Sequence, residues 1–506
     1  MNKMISQKKV GVILSYANLI AKNLVTFIYV PILLRLLGQV EYGLYQMANS
    51  MISSLAIFSM GFGSSYVRFY YQVKKEKKED SSEIAKLNGQ YILLFSCMAL
   101  LVILGGILII INTDYFFKHS MTMNEKNTLT ILFALLTINM AVSFPSSVFE
   151  CYIVANERFK YQRSLQLIQT FLTPLLTLPL VFMGLKSISI VLVQTVVTVG
   201  FLLGNVYYAV AKLKMRFVFK NLNHSLFKEI SIFSFYIFLN QIIDQINWEL
   251  PSFLLGIYKG PKDVAIFSVG NQIKTIFISL SLSLSSIFVP QINSIVSTTN
   301  CNKKLTEVMT RVGRLQAIIL LFFLGGFVVL GDFFIKVWAG ESYQISYYVS
   351  LLLIIPMMVP LIQNTGIEIQ RAKNMHKFRS IVYFLFAILN ILISLYLIPK
   401  YGIIGASIGT FITLIVANNF IMNWYYSKKV GLHMKYFWKE VIKIIPSFLL
   451  PTVILMIIKK YFQIKSIKYF IVFGLIYSLF SVVLFLLFSA KEEERLILKR
   501  YWKKFT

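Results

Sequence analysis

The sequence predicts an all-α integral membrane protein with about 14 transmembrane helices and cytoplasmic N and C termini, and three observations predict it. The 506 residues are 57% hydrophobic and only 14% charged, whereas soluble domains carry about 25% charged residues. The apolar residues are gathered into stretches of about 20 or more, the length that crosses a bilayer as a helix. The Lys and Arg residues fall mainly in alternate connections between those stretches. A net charge of +29 would suit a nucleic-acid partner, but the cations stand between apolar spans rather than in one basic patch. Cys97, Cys151 and Cys301 are far apart, and no two of the four histidines have metal-ligand spacing, so neither a disulfide framework nor a metal site is predicted.

Hydropathy places spans at about 10–34, 42–67, 87–111, 128–151, 164–183, 187–211, 230–257, 264–291, 313–335, 344–367, 380–398, 402–426, 441–458 and 466–488. With the N terminus inside, the cytoplasmic tails and loops hold about 36 of the 50 Lys+Arg, as the positive-inside rule requires. The opposite loops hold about 12 by the same count.

An internal repeat organises the first twelve spans. An offset of about 222 pairs Asn18 with Asn240, Lys22 with Asp244, Asn23 with Gln245, Gly38 with Gly260 and Glu41 with Asp263. The offset drifts to about 218, where Asp114 meets Asp332, Glu150 meets Glu368 and Gly184 meets Gly402. Six spans per half is an even number, so both halves enter the membrane in one orientation. The expected division is an N-terminal lobe over 1–228, a pseudo-symmetric C-terminal lobe over 229–440, and two further spans with a basic tail over 441–506. The tail from Ala490 reads either as a basic amphipathic helix on anionic lipid or as a solvated end.

The seventh span carries the chemistry. At 100° per residue, Asn240, Gln241, Asp244, Gln245, Asn247 and Glu249 form one continuous face, with Ile242, Ile243, Ile246 and Leu250 on the other. An ionised Asp near mid-bilayer costs about 2.5–3.5 kcal/mol on insertion scales, so this face should look onto helices or a wet cavity. Its repeat counterpart in the first span is Asn18, Lys22 and Asn23. The expected substrate cavity therefore comprises Lys22, Asn18, Asn23, Asn240, Gln241, Asp244, Gln245, Asn247 and Glu249, with Lys274 as a second deep cation. The bland alternatives are a buried ion pair that locates the lobes and interhelical hydrogen bonds of about 0.6 kcal/mol each. At the inner surface, Arg68, Glu150 and Glu368 are expected to form a gate or charge network, with Arg158, Lys160, Arg371 and Lys377 nearby. Arg35 and Glu41 are expected to be an ordinary surface pair at the first outer loop.

The stretch Leu36-Leu37-Gly38-Gln39-Val40-Glu41-Tyr42-Gly43-Leu44-Tyr45, followed by Gly61-Phe62-Gly63 and Arg68, resembles the bacterial polysaccharide flippases. These are the O-antigen, capsule and exopolysaccharide repeat-unit translocases of the multidrug/oligosaccharidyl-lipid/polysaccharide exporter superfamily. Ile398-Pro399-Lys400-Tyr401-Gly402-Ile403-Ile404-Gly405-Ala406 is similar to their loop between spans eleven and twelve. The resemblance implies two six-helix lobes around a cavity that opens alternately to each side of the cytoplasmic membrane. It implies a polyprenyl-pyrophosphate-linked oligosaccharide as cargo, moved from inner to outer leaflet, with polysaccharide polymerase and glycosyltransferases as partners.

Two rivals share that fold, a cation-coupled multidrug-type exporter and a flippase for the peptidoglycan lipid precursor. The two extra spans argue against the first, and the lack of mid-depth arginines against the second. No cofactor is expected, beyond a possible coupling cation, H⁺ or Na⁺, at Asp244. No nucleotide-binding loop is present in the sequence, and the short outer loops leave no room for a glycosyltransferase or polymerase site, so a transporter rather than an enzyme is predicted. Lys22, Lys274, Asp244 and Glu249 sum to zero charge, a departure from the cationic cavity often ascribed to the family.

Overall fold

The computed structural model describes the backbone of all residues except 1, 60, 61, 77–80, 221–223, 300, 493 and 496–506. The side chains of 2–9, 12, 59, 64, 76, 81, 224–226, 232–241, 243, 244, 246 and 247 lie outside the description as well. The principal helices are α1 (Asn2–Leu55), α2 (Phe62–Glu76), α3 (Ser81–Ile111), α4 (Met123–Ala155), α5 (Phe159–Leu180), α6 (Lys186–Tyr207), α7 (His224–Lys259) and α8 (Pro261–Ser285). They continue as α9 (Val289–Thr298), α10 (Asn302–Trp338), α11 (Ser346–Ile362), α12 (Asn364–Ala372), α13 (Lys377–Leu414), α14 (Met434–Ile442), α15 (Ile445–Tyr461) and α16 (Ile467–Leu484).

Among the described residues nine helices are long and apolar enough to cross a membrane, or ten if the pair α11 and α12, bent by 46°, counts as one. That is fewer than the fourteen spans read from hydropathy, and the reason is visible in the backbone. Three of the nine run unbroken by length alone: Ile13–Phe58, Phe159–Lys212 and Lys377–Val430, of 46, 54 and 54 residues. A bilayer needs only about 20 residues. Each of the three contains a left-handed break, at Gly38 (φ 71°), at Gly184 and Lys186 (φ 91° and 45°), and at Gly402 (φ 55°). Gly38 and Gly184 have open space where a Cβ would stand, so there the backbone angle rather than crowding favours glycine. Gly260, which separates α7 from α8, is left-handed too (φ 88°).

The chain packs as two compact units, Met1–Ser268 with Ser394–Ala406, and Val269–Ile393 with Ser407–Thr506. This division differs from the repeat boundary near 228, because α7 and the stretch around Gly402 pack with the first half. In unit 1 the core is aromatic: Tyr66, Phe69, Tyr91 and Phe95, from α2 and α3, pack with Val148 and Ile153 of α4. Tyr66 donates to Asn88 Oδ1 at 2.6 Å, and Asn88 Nδ2 donates to the Arg216 carbonyl at 2.9 Å. The polar ends of this core are thus answered internally, as burial demands.

In unit 2 the two last helices are fastened to α10 along its length. Near the C-terminal end of α10, Lys459 of α15 donates to Asp332 Oδ1 at 2.6 Å and to the Val329 carbonyl at 2.7 Å. Midway, Tyr477 of α16 donates to the Phe322 carbonyl at 2.9 Å, and a Cβ on Gly325 would stand 2.3 Å from the same hydroxyl and 2.4 Å from Thr452 Oγ1. Small residues permit that close helix approach. Toward the N-terminal end of α10 stands Arg314, with a side chain only 2% exposed.

Candidate functional site

The polar face predicted on the seventh span lies on α7, which is helical throughout. The side chains of Asn240, Gln241, Asp244 and Asn247 fall outside the described residues, and with them the opposition of Lys22 and Asp244. Gln245 and Glu249 are half-buried. Nε2 of Gln245 is buried with no hydrogen-bond partner. Glu249 accepts a hydrogen bond from Ser50 Oγ, in the part of α1 beyond Gly38. Two turns further along α7, a Cβ on Gly256 would collide with Met47 of the same stretch. Glu249 is therefore engaged with α1, a partnership the sequence reading missed: Ser50 stands in an ordinary apolar span with nothing local to distinguish it.

Across the same unit, Lys22 and Asn23 of α1 are exposed. Asn18, one turn away, donates from Nδ2 to the Arg163 carbonyl of α5 at 2.8 Å, while its Oδ1 is buried without a partner. In a protein interior nearly all such atoms find a partner, protein or water. The Asn18 oxygen and the Gln245 nitrogen are each the kind of buried atom that a held water answers. Lys274 belongs to unit 2 and is 6% exposed.

The expected inner-surface residues have local surroundings. Arg68 is exposed, with its guanidinium 5.8 Å from the Phe69 ring centre. Glu150 accepts from Gln162 Nε2 at 2.8 Å. Glu368 pairs with Arg371 one turn along α12, at 2.8 Å. Arg35 and Glu41 were expected to pair at the surface; instead Glu41 accepts Ser187 Oγ at 2.5 Å and meets Lys186 Nζ at 3.4 Å.

One deeply buried charge, Arg314, was not singled out by the sequence. Arg314 donates from Nη1 to the Glu440 carbonyl at 2.7 Å and from Nη2 to the Ser489 carbonyl at 2.9 Å. It also holds the Glu494 carboxylate in a fork, Nε to Oε1 and Nη2 to Oε2, both at 2.9 Å. Glu440 is itself paired with Lys443 at 2.6 Å and Lys491 at 2.5 Å. A cavity of about 830 Å³ beside this cluster is lined by Arg311, Lys304, Glu307 and Tyr436 among others. Among the described residues no group of three His, Cys, Asp or Glu is placed to hold a metal.

A family model described as "Polysaccharide biosynthesis protein" matches residues 8–296, a stretch that includes both α1 and α7. A Shigella flexneri protein named "Putative O-antigen transporter" is 20% identical over 424 residues, which cover 82% of this chain and 97% of that one. The "Uncharacterized membrane protein EpsK" of Bacillus subtilis is 23% identical over 511 residues, covering 96% and 97%. Among solved structures, "Lipid II flippase MurJ, inward closed conformation" superposes with a TM-score of 0.70 at 15% identity, over 94% of this chain and 97% of that one. An inward-facing multidrug resistance transporter of the MATE family and MOP superfamily gives 0.57 at 14% identity, over 83% and 96%. At those identities the two structures speak for the fold alone, a multi-pass helical membrane protein.

Proposed function

The chain belongs to the polysaccharide biosynthesis protein family, a family of membrane transporters rather than enzymes, and from that premise we propose that it moves polyprenyl-pyrophosphate-linked oligosaccharide repeat units across the bacterial cytoplasmic membrane, from the inner leaflet to the outer. The observation that carries the reading is that the family match spans the stretch bearing Lys22 and the α7 polar face. The O-antigen description of the Shigella relative supports the cargo class.

In this reading the fold has fourteen spans. Splitting the three over-long helices at their left-handed residues, counting the bent pair once and adding α7 gives that number. Both termini lie in the cytoplasm, and the halves 1–228 and 229–440 work as two lobes by alternating access. The polar face must accept a hydrophilic, anionic headgroup while the polyprenyl tail stays in lipid. Lys22 supplies the cation for the pyrophosphate, and Asn18, Asn23, Asn240, Gln241, Gln245 and Asn247 supply donors and acceptors for sugar hydroxyls. Asp244 at mid-depth takes up a proton or a cation in one half of the cycle, since an uncompensated carboxylate there is costly. Glu249, bonded to Ser50, is left to the wall of the cavity. Arg68, Glu150 and Glu368 take the inner-gate role.

Deletion of the gene in its own host tests the proposal. Surface polysaccharide should be lost and lipid-linked repeat units should accumulate facing the cytoplasm. Unchanged polysaccharide together with new sensitivity to cationic dyes would instead mark a multidrug-type exporter.

A further inference from the structure

Each half of the sequence begins its first turn with a left-handed glycine and has an acid three residues later: Gly38 and Glu41, then Gly260 and Asp263. All of them, and the stretch around Gly402, lie in unit 1. The Glu41 side chain is 17% exposed, and its carboxylate grips two consecutive residues at the start of α6, the buried Ser187 by a hydrogen bond and Lys186 by an ion pair. Lys186 has φ 45° and ψ −134°, a left-handed conformation that a residue with a side chain keeps only where its surroundings impose it.

Gly402 has φ 55° and ψ −129°, nearly the same backbone conformation. Asp263 Oδ2 lies 3.3 Å from where a Cβ on Gly402 would stand, with Lys259 Cε at 3.7 Å. So the second bend of each half has one geometry, made by lysine in the first half and by glycine in the second. Each bend is faced by the acid that the 222-residue offset pairs. The two acid-bearing turns also touch, since a Cβ on Gly43 would fall 1.9 Å from the Pro261 carbonyl oxygen.

We propose that Glu41 and Asp263 are equivalent positioning residues for transport. Each carboxylate clasps the turn that carries it to the start of the helix beyond the second bend of its half, where the free amides and the helix dipole favour negative charge. The two bends of a half then move as one piece. An isolated surface ion pair contributes little; these differ in the burial of Glu41 and Ser187, the left-handed Lys186, and the recurrence of the device at a second place in the chain. The proposal rests on the reading of the chain as a transporter, but its geometry is testable without transport.

The test is hydrogen exchange of the full-length protein in lipid nanodiscs, together with export measured by complementation at equal membrane levels. Glu41→Gln should raise exchange at the amides of 187–190 about tenfold and leave 403–406 unchanged, with Asp263→Asn doing the reverse, because each opens a local unit only. Export should fall about fivefold in each and recover in part with Glu41→Asp and Asp263→Glu, which restore the charge. Unchanged exchange at both helix starts, or raised exchange with wild-type export, overturns the proposal. If the wild-type protein exports no glycan at all, the transporter reading fails while exchange still decides the clasp.

Discussion

Two polar regions of this protein are built on opposite principles. Around Arg314 in unit 2, a side chain 2% exposed meets two carbonyls and a carboxylate, and neighbouring Glu440 is flanked by two lysines. At Asn18 and at Gln245 in unit 1, one buried polar atom each is left with no protein partner, as single atoms elsewhere among the described residues also are. A charge answered by close acceptors from α14 and the segment after α16 is a fastening; it ties these elements to α10. Asn18 stands one turn from the exposed Lys22, and in the reading proposed above such unanswered atoms belong to the part that exchanges partners. On that reading, opposite demands on desolvation separate the part that holds from the part proposed to work.

The contrast is sharpened most by breaking the fastening. Arg314→Leu should cost about 3–5 kcal/mol, because it strands Glu494 and buried carbonyls without a cation; the expected outcome is a large fall in membrane level or melting temperature, read by fluorescence-detected chromatography. Arg314→Lys should restore only part, since a lysine cannot form the two-point fork. Lys459→Ala, at the other end of α10, removes a half-buried ion pair and should cost about 1 kcal/mol by the same measurement.

Gln245→Leu should behave the other way. It removes an unanswered amide, so stability should change by less than about 1 kcal/mol, while export should drop. A stability loss as large as that of Arg314→Leu would mean that the α7 face is structural after all.

The smallest effect concerns Cys301, which caps the start of α10. The backbone N–H of Lys304 holds its thiol below the usual range. More of it is thiolate at neutral pH, so alkylation should persist to lower pH than for a free cysteine. With the expected topology, a membrane-impermeant maleimide should reach it in inverted vesicles and not in whole cells.

Much of this was legible beforehand. The helical membrane class followed from hydropathy, and the repeat pointed to Gly38 and Gly260, both of which are left-handed. The repeat slipped at the second bend: polar residues in register paired Gly184 with Gly402, but the backbone twin of Gly402 is Lys186. No sequence comparison expects a lysine to stand in for a glycine, because what is shared there is φ and ψ rather than chemistry. Arg314 was unreadable for another reason. It stands close to the basic stretch that precedes an apolar span, like many others, and its partners Glu440 and Glu494 are 126 and 180 residues away. Ser50 was invisible likewise, since its partner Glu249 stands 199 residues further on.

The central claim is that Lys22 and Asp244 carry transport rather than hold the fold. Its most direct test is the surface polysaccharide of cells whose only flippase is this protein, comparing wild type with Lys22→Ala and Asp244→Ala at matched membrane levels. The account predicts loss of surface polysaccharide in both, with protein amount and melting temperature near wild type. Normal polysaccharide from both variants would contradict it, as would a matching collapse in stability.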